Sequence, residues 1–408
     1  MKSSALVLFK TASDVVGKLA AFGVLAIAAR VLTTDDFAWM ALASTAGWML
    51  SVATDFGLQL HLAKEVARMP DAPGRALWPL LKRKRQLLAA GFFAAVVLPF
   101  VWLDARVAVP FAGIALAFLL SSLVEFLNYA YRGLNRSDLE SSINLMQRLG
   151  GVAFAWVLLT WWPSLLTVAI ALLVPPMITS AISLTVLTRM APSTPEAESE
   201  SAGDLFWRVA PIGTGILLSA LYFRLDVFLL QHWSGATAVA QYGAVFRLID
   251  AMRLFPAALL AVMLPRMFRG HNTSLLLKLS VGLTGFGVLA SATLYALAPV
   301  AVPLAFGDAF TPAVPLFRIL LAAFPLLCLN YGLTTQLIGW DGQRAFAWLN
   351  AGAFAANIAM NTVLIPRIAA AGAAWATVAT EALLTVGCLV ALRRAQPRIS
   401  ARDVMTSR

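Results

Sequence analysis

Residues 221–231 read Leu221-Tyr222-Phe223-Arg224-Leu225-Asp226-Val227-Phe228-Leu229-Leu230-Gln231, an apolar run with Arg224 and Asp226 deep inside it. A second apolar run follows and holds Arg247, Asp250 and Arg253, each three residues from the next, before it closes at Pro265-Arg266. An ionised side chain at the centre of a spanning helix costs roughly 2.5–3.5 kcal/mol on insertion scales, so five of them in one hairpin imply a polar interior.

The rest of the chain fits that reading. It has 408 residues, 60% hydrophobic and 12% charged, with a mean hydropathy of +0.80. Soluble domains carry about a quarter of their residues as charges, so this is a polytopic membrane protein. Apolar stretches of about 18–25 residues match helices crossing a hydrocarbon core of about 30 Å. We read about twelve, near 8–30, 37–60, 86–103, 107–131, 142–162 and 164–188, then 208–231, 237–264, 274–301, 312–338, 345–365 and 370–392. An Ala26-Ile27-Ala28 cleavage pattern follows a basic start. Asp14 and Lys18 interrupt that would-be signal, so the stretch reads better as a retained first helix.

The net charge of +11 does not point to nucleic acid, because the basic residues collect on alternate loops, as topology signals do. Lys64, Arg68, Arg75 and the block Lys82-Arg83-Lys84-Arg85 fall between the second and third runs. Arg132 and Arg136, Arg266 and Arg269, and Arg393 to Arg402 fall on the same side, against Arg30, Arg106 and Arg367 on the other. Both termini are therefore expected in the cytoplasm. Cys328 and Cys388 lie in apolar runs and the three histidines are scattered, so neither a disulfide framework nor a metal site is expected.

An acidic, Pro- and Ser-containing stretch divides the chain. The expected organisation is a six-helix bundle over 1–190, a polar cytoplasmic linker over 191–204, a second six-helix bundle over 205–395 and a tail over 396–408. Thr33 to Phe37-Ala38 aligns with Gly235 to Val239-Ala240, about 202 residues later. Six spans return the chain to its starting side, so the repeats are parallel, two bundles around a central cavity.

Four stretches together resemble a known family. They are Ala29-Arg30-Val31-Leu32 with Asp36-Phe37-Ala38; Asp55-Phe56-Gly57-Leu58; Leu221 to Asp226 with Val239-Ala240-Gln241-Tyr242 and Leu264-Pro265-Arg266; and Gly372-Ala373-Ala374-Trp375-Ala376-Thr377 with Glu381. The chain resembles the Wzx-type flippases, the polysaccharide branch of the multidrug/oligosaccharidyl-lipid/polysaccharide (MOP) exporter superfamily. Ala38 and Ala240 stand where that family usually has glycine, and a small residue there still allows close helix packing. The resemblance implies the MOP flippase fold and a lipid-linked oligosaccharide substrate, carried for surface polysaccharides such as O-antigen or exopolysaccharide. It also implies the bacterial inner membrane as location, and membrane lipid and a polysaccharide polymerase or export machinery as partners.

Arg247, Asp250 and Arg253 spread over one face of a helix, where a guanidinium fork suits pyrophosphate and acidic sugars. The other reading is that Asp250 neutralises both arginines in a structural network. Arg224 stands between substrate contact and a structural pairing with Glu381 or Glu125, and Asp226 is expected to meet an arginine of the next helix. Arg148, Arg318 and Lys18 complete the cationic cavity candidates, with Arg318 near enough to the outer surface to snorkel. Asp14 is placed to pair with Lys18. Asp55, Glu125 and Glu381, with Asp226 and Asp250, serve charge pairing or a coupling proton or sodium ion. Tyr222, Phe223, Tyr242 and Phe246 either stack on sugars or pack.

The leading function is therefore a flippase moving undecaprenyl-pyrophosphate oligosaccharide by alternating access, with no cofactor. A proton- or sodium-coupled multidrug exporter is the alternative. A membrane glycan polymerase or glycosyltransferase comes after it, because no H-E-x-x-H, nucleotide-binding glycine loop or extramembrane catalytic segment is present. The topology makes a direct prediction: a cysteine placed at Ser199 stays unlabelled by an impermeant reagent applied to intact cells. Efficient labelling reverses the orientation.

Overall fold

The structure, a computed structural model, describes residues 3–69, 71–192, 202–253, 255–256, 259, 273–340 and 342–406. Every regular element among them is helical. In the N-terminal half these are α1 (Ser3–Val31), α2 (Thr34–Asp55), α3 (Leu58–Arg68), α4 (Gly74–Trp102), α5 (Ala105–Gly133), α6 (Ser137–Trp161) and α7 (Leu165–Met190). Then come α8 (Ala202–Met252), α9 (Thr273–Phe306), a 3₁₀ turn (Asp308–Ala313), α10 (Val314–Gly339) and α11 (Gln343–Thr406). Most of the expected 191–204 linker, Pro265-Arg266 and Arg269 lie outside the described residues.

Among the described residues, 10 helical segments are long and apolar enough to cross a membrane. Two of them are hairpins. Arg224 and Asp250 are 26 residues apart, which on one straight helix is about 39 Å, yet they are hydrogen-bonded. The reversal sits at Gly235, whose φ of 78° and ψ of −176° leave the helical region. Only glycine adopts that geometry without a Cβ clash. In α11, Asn357 donates to Thr380 at 3.1 Å although 23 residues of helix span about 35 Å, and the break is at Ile368-Ala369. Ten segments with two doubled make twelve spans. In each half the second span follows the sequence match directly: α2 starts at Thr34 and the second arm of α8 starts after Gly235.

Contacts divide the chain into one unit over Met1–Leu217 and another over Leu218–Arg408, so the boundary falls inside α8. In the first unit α5 is the central helix, packed by α2, α4 and α7, while α1 lies along α6. Close approach decides the α2–α5 contact: a Cβ on Gly47 would lie 2.8 Å from Ala115 Cα. Small residues let two spanning helices touch where the hydrophobic effect gives no drive between them. α2 begins with Thr33 Oγ1 accepting from Asp36 N at 3.1 Å, with Asp35 and Asp36 in the first turn, the favoured sign at a helix N-terminus. It ends in two left-handed residues, Phe56 (φ 44°) and Gly57 (φ 84°). The turned Phe56 ring stacks on Phe206 at 5.7 Å, and its carbonyl would lie 2.5 Å from a Cβ on Gly213. That seats residues 202–217 within the first unit. In the second unit α9 packs on α10 and α10 on α11.

The third span starts earlier than its apolar run. The stretch expected as a basic loop is instead α3 and the first three turns of α4, which puts the Lys82-Arg83-Lys84-Arg85 block on a helix. Lys82 and Arg85 are exposed, but Lys84 is wholly buried. Its ammonium meets Asp55 at 3.2 Å, Ser122 Oγ at 2.8 Å and the Thr54 carbonyl at 3.4 Å. Leu77, Leu81, Lys84, Leu88, Gly91 and Ala95 form one buried stripe at helical spacing, and this stripe is the signal in the sequence that sets Lys84 apart from its three neighbours.

Breaking one member of a buried ion pair costs roughly 3–5 kcal/mol, because the other charge is left without a partner. Lys84→Met should lower the unfolding midpoint of the purified protein sharply. Adding Asp55→Asn should recover much of the loss; a double variant no more stable than the single one removes the pair from the fold's support.

Candidate functional site

The two arms of α8 bring a cationic cluster together in the C-terminal unit. Arg224 comes from the first arm and Arg247 and Asp250 from the second, with Arg253 directly after its last residue, Met252, on the i, i+3 steps read from the sequence. Arg224 donates to Asp250 Oδ2, Arg253 lies 3.6 Å from Asp250 Oδ1, and Arg253 Nε donates to Tyr331 Oη of α10 at 3.1 Å. Asp250 therefore serves two arginines. Arg247 is half-buried in the field of both Arg224 and Asp250, and among the described residues no hydrogen bond or ion pair reaches it. Asp250 is the carboxylate in contact with these arginines, while Asp226 lies in the field of Arg224 and Glu381 in that of Arg253. The three guanidinium groups are thus balanced by three acids, and Arg247 is the one that no carboxylate contacts among the described residues.

Aromatic rings orient these groups. The Arg253 guanidinium lies over Phe223 at 4.0 Å and that of Arg224 over Phe246 at 4.7 Å, while the two rings meet edge to face at 5.3 Å. Stacking on a ring face leaves the planar edge of a guanidinium, where its donors are, directed elsewhere. Such an arrangement can hold an oxyanion.

The buried acids are met differently from expectation. Asp226, 2% exposed, accepts from the Tyr242 hydroxyl rather than from an arginine, and its other oxygen has no hydrogen-bond partner among the described residues. Glu381, equally enclosed, accepts from Tyr222 Oη at 2.9 Å and Asn330 Nδ2 at 2.7 Å, so it is not the partner of Arg224. Thr385 ties the same Asn330 back to α11 at 2.8 Å. Tyr222, Tyr242 and Phe246 are buried and two of their hydroxyls are engaged, so of the four aromatics weighed for sugar stacking only Phe223 is left partly exposed. Reading by charge alone passed over Tyr222, Tyr242, Asn330, Asn357 and Asn361 as partners. Asn357 and Asn361 stand four apart, and Asn361 Nδ2 donates to Asn357 Oδ1 at 2.8 Å; that spacing in an apolar run is a visible sign of a polar seam.

The N-terminal candidates form a separate group. Glu125 of α5 and Arg148 of α6 are exposed and lie in each other's field, and Glu125 also feels Asp55, Arg132 and Lys84. A Cβ on Gly17 would touch the Arg148 side chain at 3.4 Å, so α1 leaves room for it. Glu140, unremarked in the sequence, is buried and bridges Lys10 at 3.0 Å and Arg132 at 2.6 Å. Asp14 and Lys18 are exposed, and among the described residues no ion pair joins them. Arg318 donates to the Tyr295 carbonyl at 3.3 Å and lies over that ring at 4.8 Å, at the first turns of α10. It is placed apart from the arginines of α8.

The family described as "Polysaccharide biosynthesis protein" matches residues 5–271. No curated protein matches. Among solved structures, the chain is similar to one described as the inward-facing conformation of a multidrug resistance MATE family transporter of the MOP superfamily. It has a TM-score of 0.74 and 12% identity, covering 94% of this chain and 95% of that one. It is also similar to the lipid II flippase MurJ in an inward closed conformation, with a TM-score of 0.72 and 10% identity, over 98% of this chain and 91% of that one. The fold is thus that of MOP-superfamily transporters, all-α with twelve spans in two halves.

The cluster predicts how its members depend on each other. Arg224→Ala leaves Asp250 with only the longer contact to Arg253, so the amount of folded protein in the membrane should fall. Asp250→Ala added to it should restore part of the abundance, since that pair is then gone while Arg253 loses its longer contact. Additive losses in the double variant dismiss the coupling.

Proposed function

The chain belongs to the polysaccharide biosynthesis protein family, and from that premise we propose that it is a flippase for lipid-linked oligosaccharide. It moves an undecaprenyl-pyrophosphate oligosaccharide from the cytoplasmic to the outer leaflet of the bacterial inner membrane, for assembly of a surface polysaccharide, by alternating access. A polymerase or export machinery receives the product. The observation that carries this reading is Arg247 of the α8 cluster, whose guanidinium no carboxylate contacts among the described residues. A pyrophosphate linked to sugars is an anion that such a group binds through paired hydrogen bonds. Arg224 and Arg253, fixed by Asp250 and by the rings beneath them, hold the site's shape and add to its field. Within the N-terminal unit, Arg148, in the field of Glu125, and Lys18 are further cationic side chains open to an anion.

A second reading has its own support. The MATE transporters that the fold resembles are described as multidrug resistance proteins, and the buried carboxylate of Asp226 has an oxygen left over. A cation-coupled exporter of drugs would centre on the acids, with a proton or sodium ion as coupling ion, and would lose little when Arg247 is changed.

The test is reconstitution of the purified protein into liposomes with a defined lipid-linked glycan, scoring leaflet transfer per folded molecule. A lost charge-assisted hydrogen bond is worth about 1.5–3 kcal/mol, so Arg247→Ala should slow transfer roughly tenfold or more. Arg247→Lys should recover part, since a lysine keeps the charge and loses the planar fork. Transfer by Arg247→Ala at the parent rate, or transfer of a cationic dye in place of the glycan lipid, sinks the flippase reading.

A further inference from the structure

The C-terminal unit has a cavity of about 1000 Å³ that is not lined by any of the arginines of α8. It lies between α9, α10 and the second arm of α11. Its face on α10 carries Leu329, Leu333 and Gln336, while Tyr331, two residues from Leu329 and Leu333 and so on the opposite side of the helix, serves Arg253. One helix thus has a polar face for the charge cluster and an apolar face for this groove.

The α9 wall is open to the outside. Leu277, Val281 and Leu289 are 66%, 64% and 70% exposed, and a Cβ on Gly285 would meet nothing within 4 Å. Such a face sits in hydrocarbon. From Leu277 to Ala292, the lining runs 15 residues along α9, about 22 Å, or half of a bilayer that is roughly 40–45 Å thick with its headgroups. The groove is therefore one leaflet deep.

Its shallow end is marked by chemistry. α9 enters the membrane where α10 and α11 leave it, so Leu277, Gln336, Trp340 and Arg393 share one end. Arg393 lines the groove, Arg394 and Lys278 adjoin lining residues in sequence, and all three cations are exposed. Among the described residues none of them is in an ion pair. Tryptophan favours the headgroup level. The basic-loop reading puts this end on the cytoplasmic side, where anionic lipids attract juxtamembrane Lys and Arg.

We propose that this groove is a binding site for one anionic glycerophospholipid of the bilayer, its acyl chains along the open α9 face and its phosphodiester on Arg393. The depth of one leaflet matches acyl chains, whereas a long polyprenyl chain overruns it. The site is separate from the α8 cluster and does not depend on the transported substrate.

Native mass spectrometry of the full chain in detergent tests it, with titration by phosphatidylglycerol, by phosphatidylcholine of the same acyl chains and by a polyprenyl phosphate. One phosphatidylglycerol should be retained about five-fold better than phosphatidylcholine, the effect of one basic side chain at the membrane surface. Arg393→Gln, a change at an exposed position, should abolish that preference while phospholipid still binds. Gly285→Leu, which fills open space on a helix, should weaken retention of both phospholipids with an unchanged unfolding midpoint. Equal retention of the two phospholipids by the parent, a preference that survives Arg393→Gln, displacement by equimolar polyprenyl phosphate, or parent-like retention by folded Gly285→Leu each overturns the proposal.

Discussion

A charged side chain on a helix surrounded by hydrocarbon has to be met from within the protein, and in this chain that requirement decides which helices are neighbours. Asp55 draws α4 onto α2 through Lys84, with Ser122 of α5 as the third contact. Glu140 holds Lys10 of α1 and Arg132 of α5 at the entry to α6. Asp250 closes the two arms of α8 on Arg224, and Glu381 ties α8, α10 and α11 through Tyr222 and Asn330. Van der Waals packing of small residues, as at Gly47, brings the helices close. The polar contacts then select one register among many that would pack equally well.

The units differ in how their charges are used. In the N-terminal unit the buried carboxylates and cations are matched locally, Asp55 with Lys84 and Glu140 with Lys10 and Arg132. In the C-terminal unit the acids are largely taken by neutral donors, two tyrosines and an asparagine. That leaves the arginines of α8 with a single carboxylate among them. Hydroxyl and amide donors satisfy an acid without cancelling its charge, so Asp226 and Glu381 still act on Arg224 and Arg253 through their fields. That division of partners leaves Arg247 with no carboxylate in contact among the described residues.

Much of this was legible in the sequence because lipid imposes a coarse and strict code. Apolar run lengths specified twelve spans, and charges inside runs marked the interior. The match between Thr33 and Gly235 marked the second span of each half. Lys84 was missed because a four-residue basic block at the edge of an apolar run reads as a topology signal, and only the helical stripe from Leu77 to Ala95 separates the buried lysine from the exposed ones. The partners of Asp226 and Glu381 were missed for a different reason. Opposite charge is an obvious criterion for pairing, but a tyrosine or asparagine in an apolar run gives no sign of which acid it serves until the chain is folded back at Gly235 and Ile368-Ala369.

Those two folds leave almost no loop. The second arm of α8 starts directly after Gly235, and the arms of α11 are separated by Ile368 and Ala369 alone. With only a few polar residues at each turn, such as His232, Ser234 and Arg367, the two arms of a pair can enter the bilayer together. For α8 this means that Arg224 and Asp226 need not cross into lipid before their counterparts are made. Arg224 meets Asp250, and Asp226 meets Tyr242, within the same nascent hairpin. The turn at Gly235 thus also lets Arg224, Asp226 and Asp250 find partners within one hairpin, leaving Arg247 as the charge of that hairpin with no contact partner among the described residues.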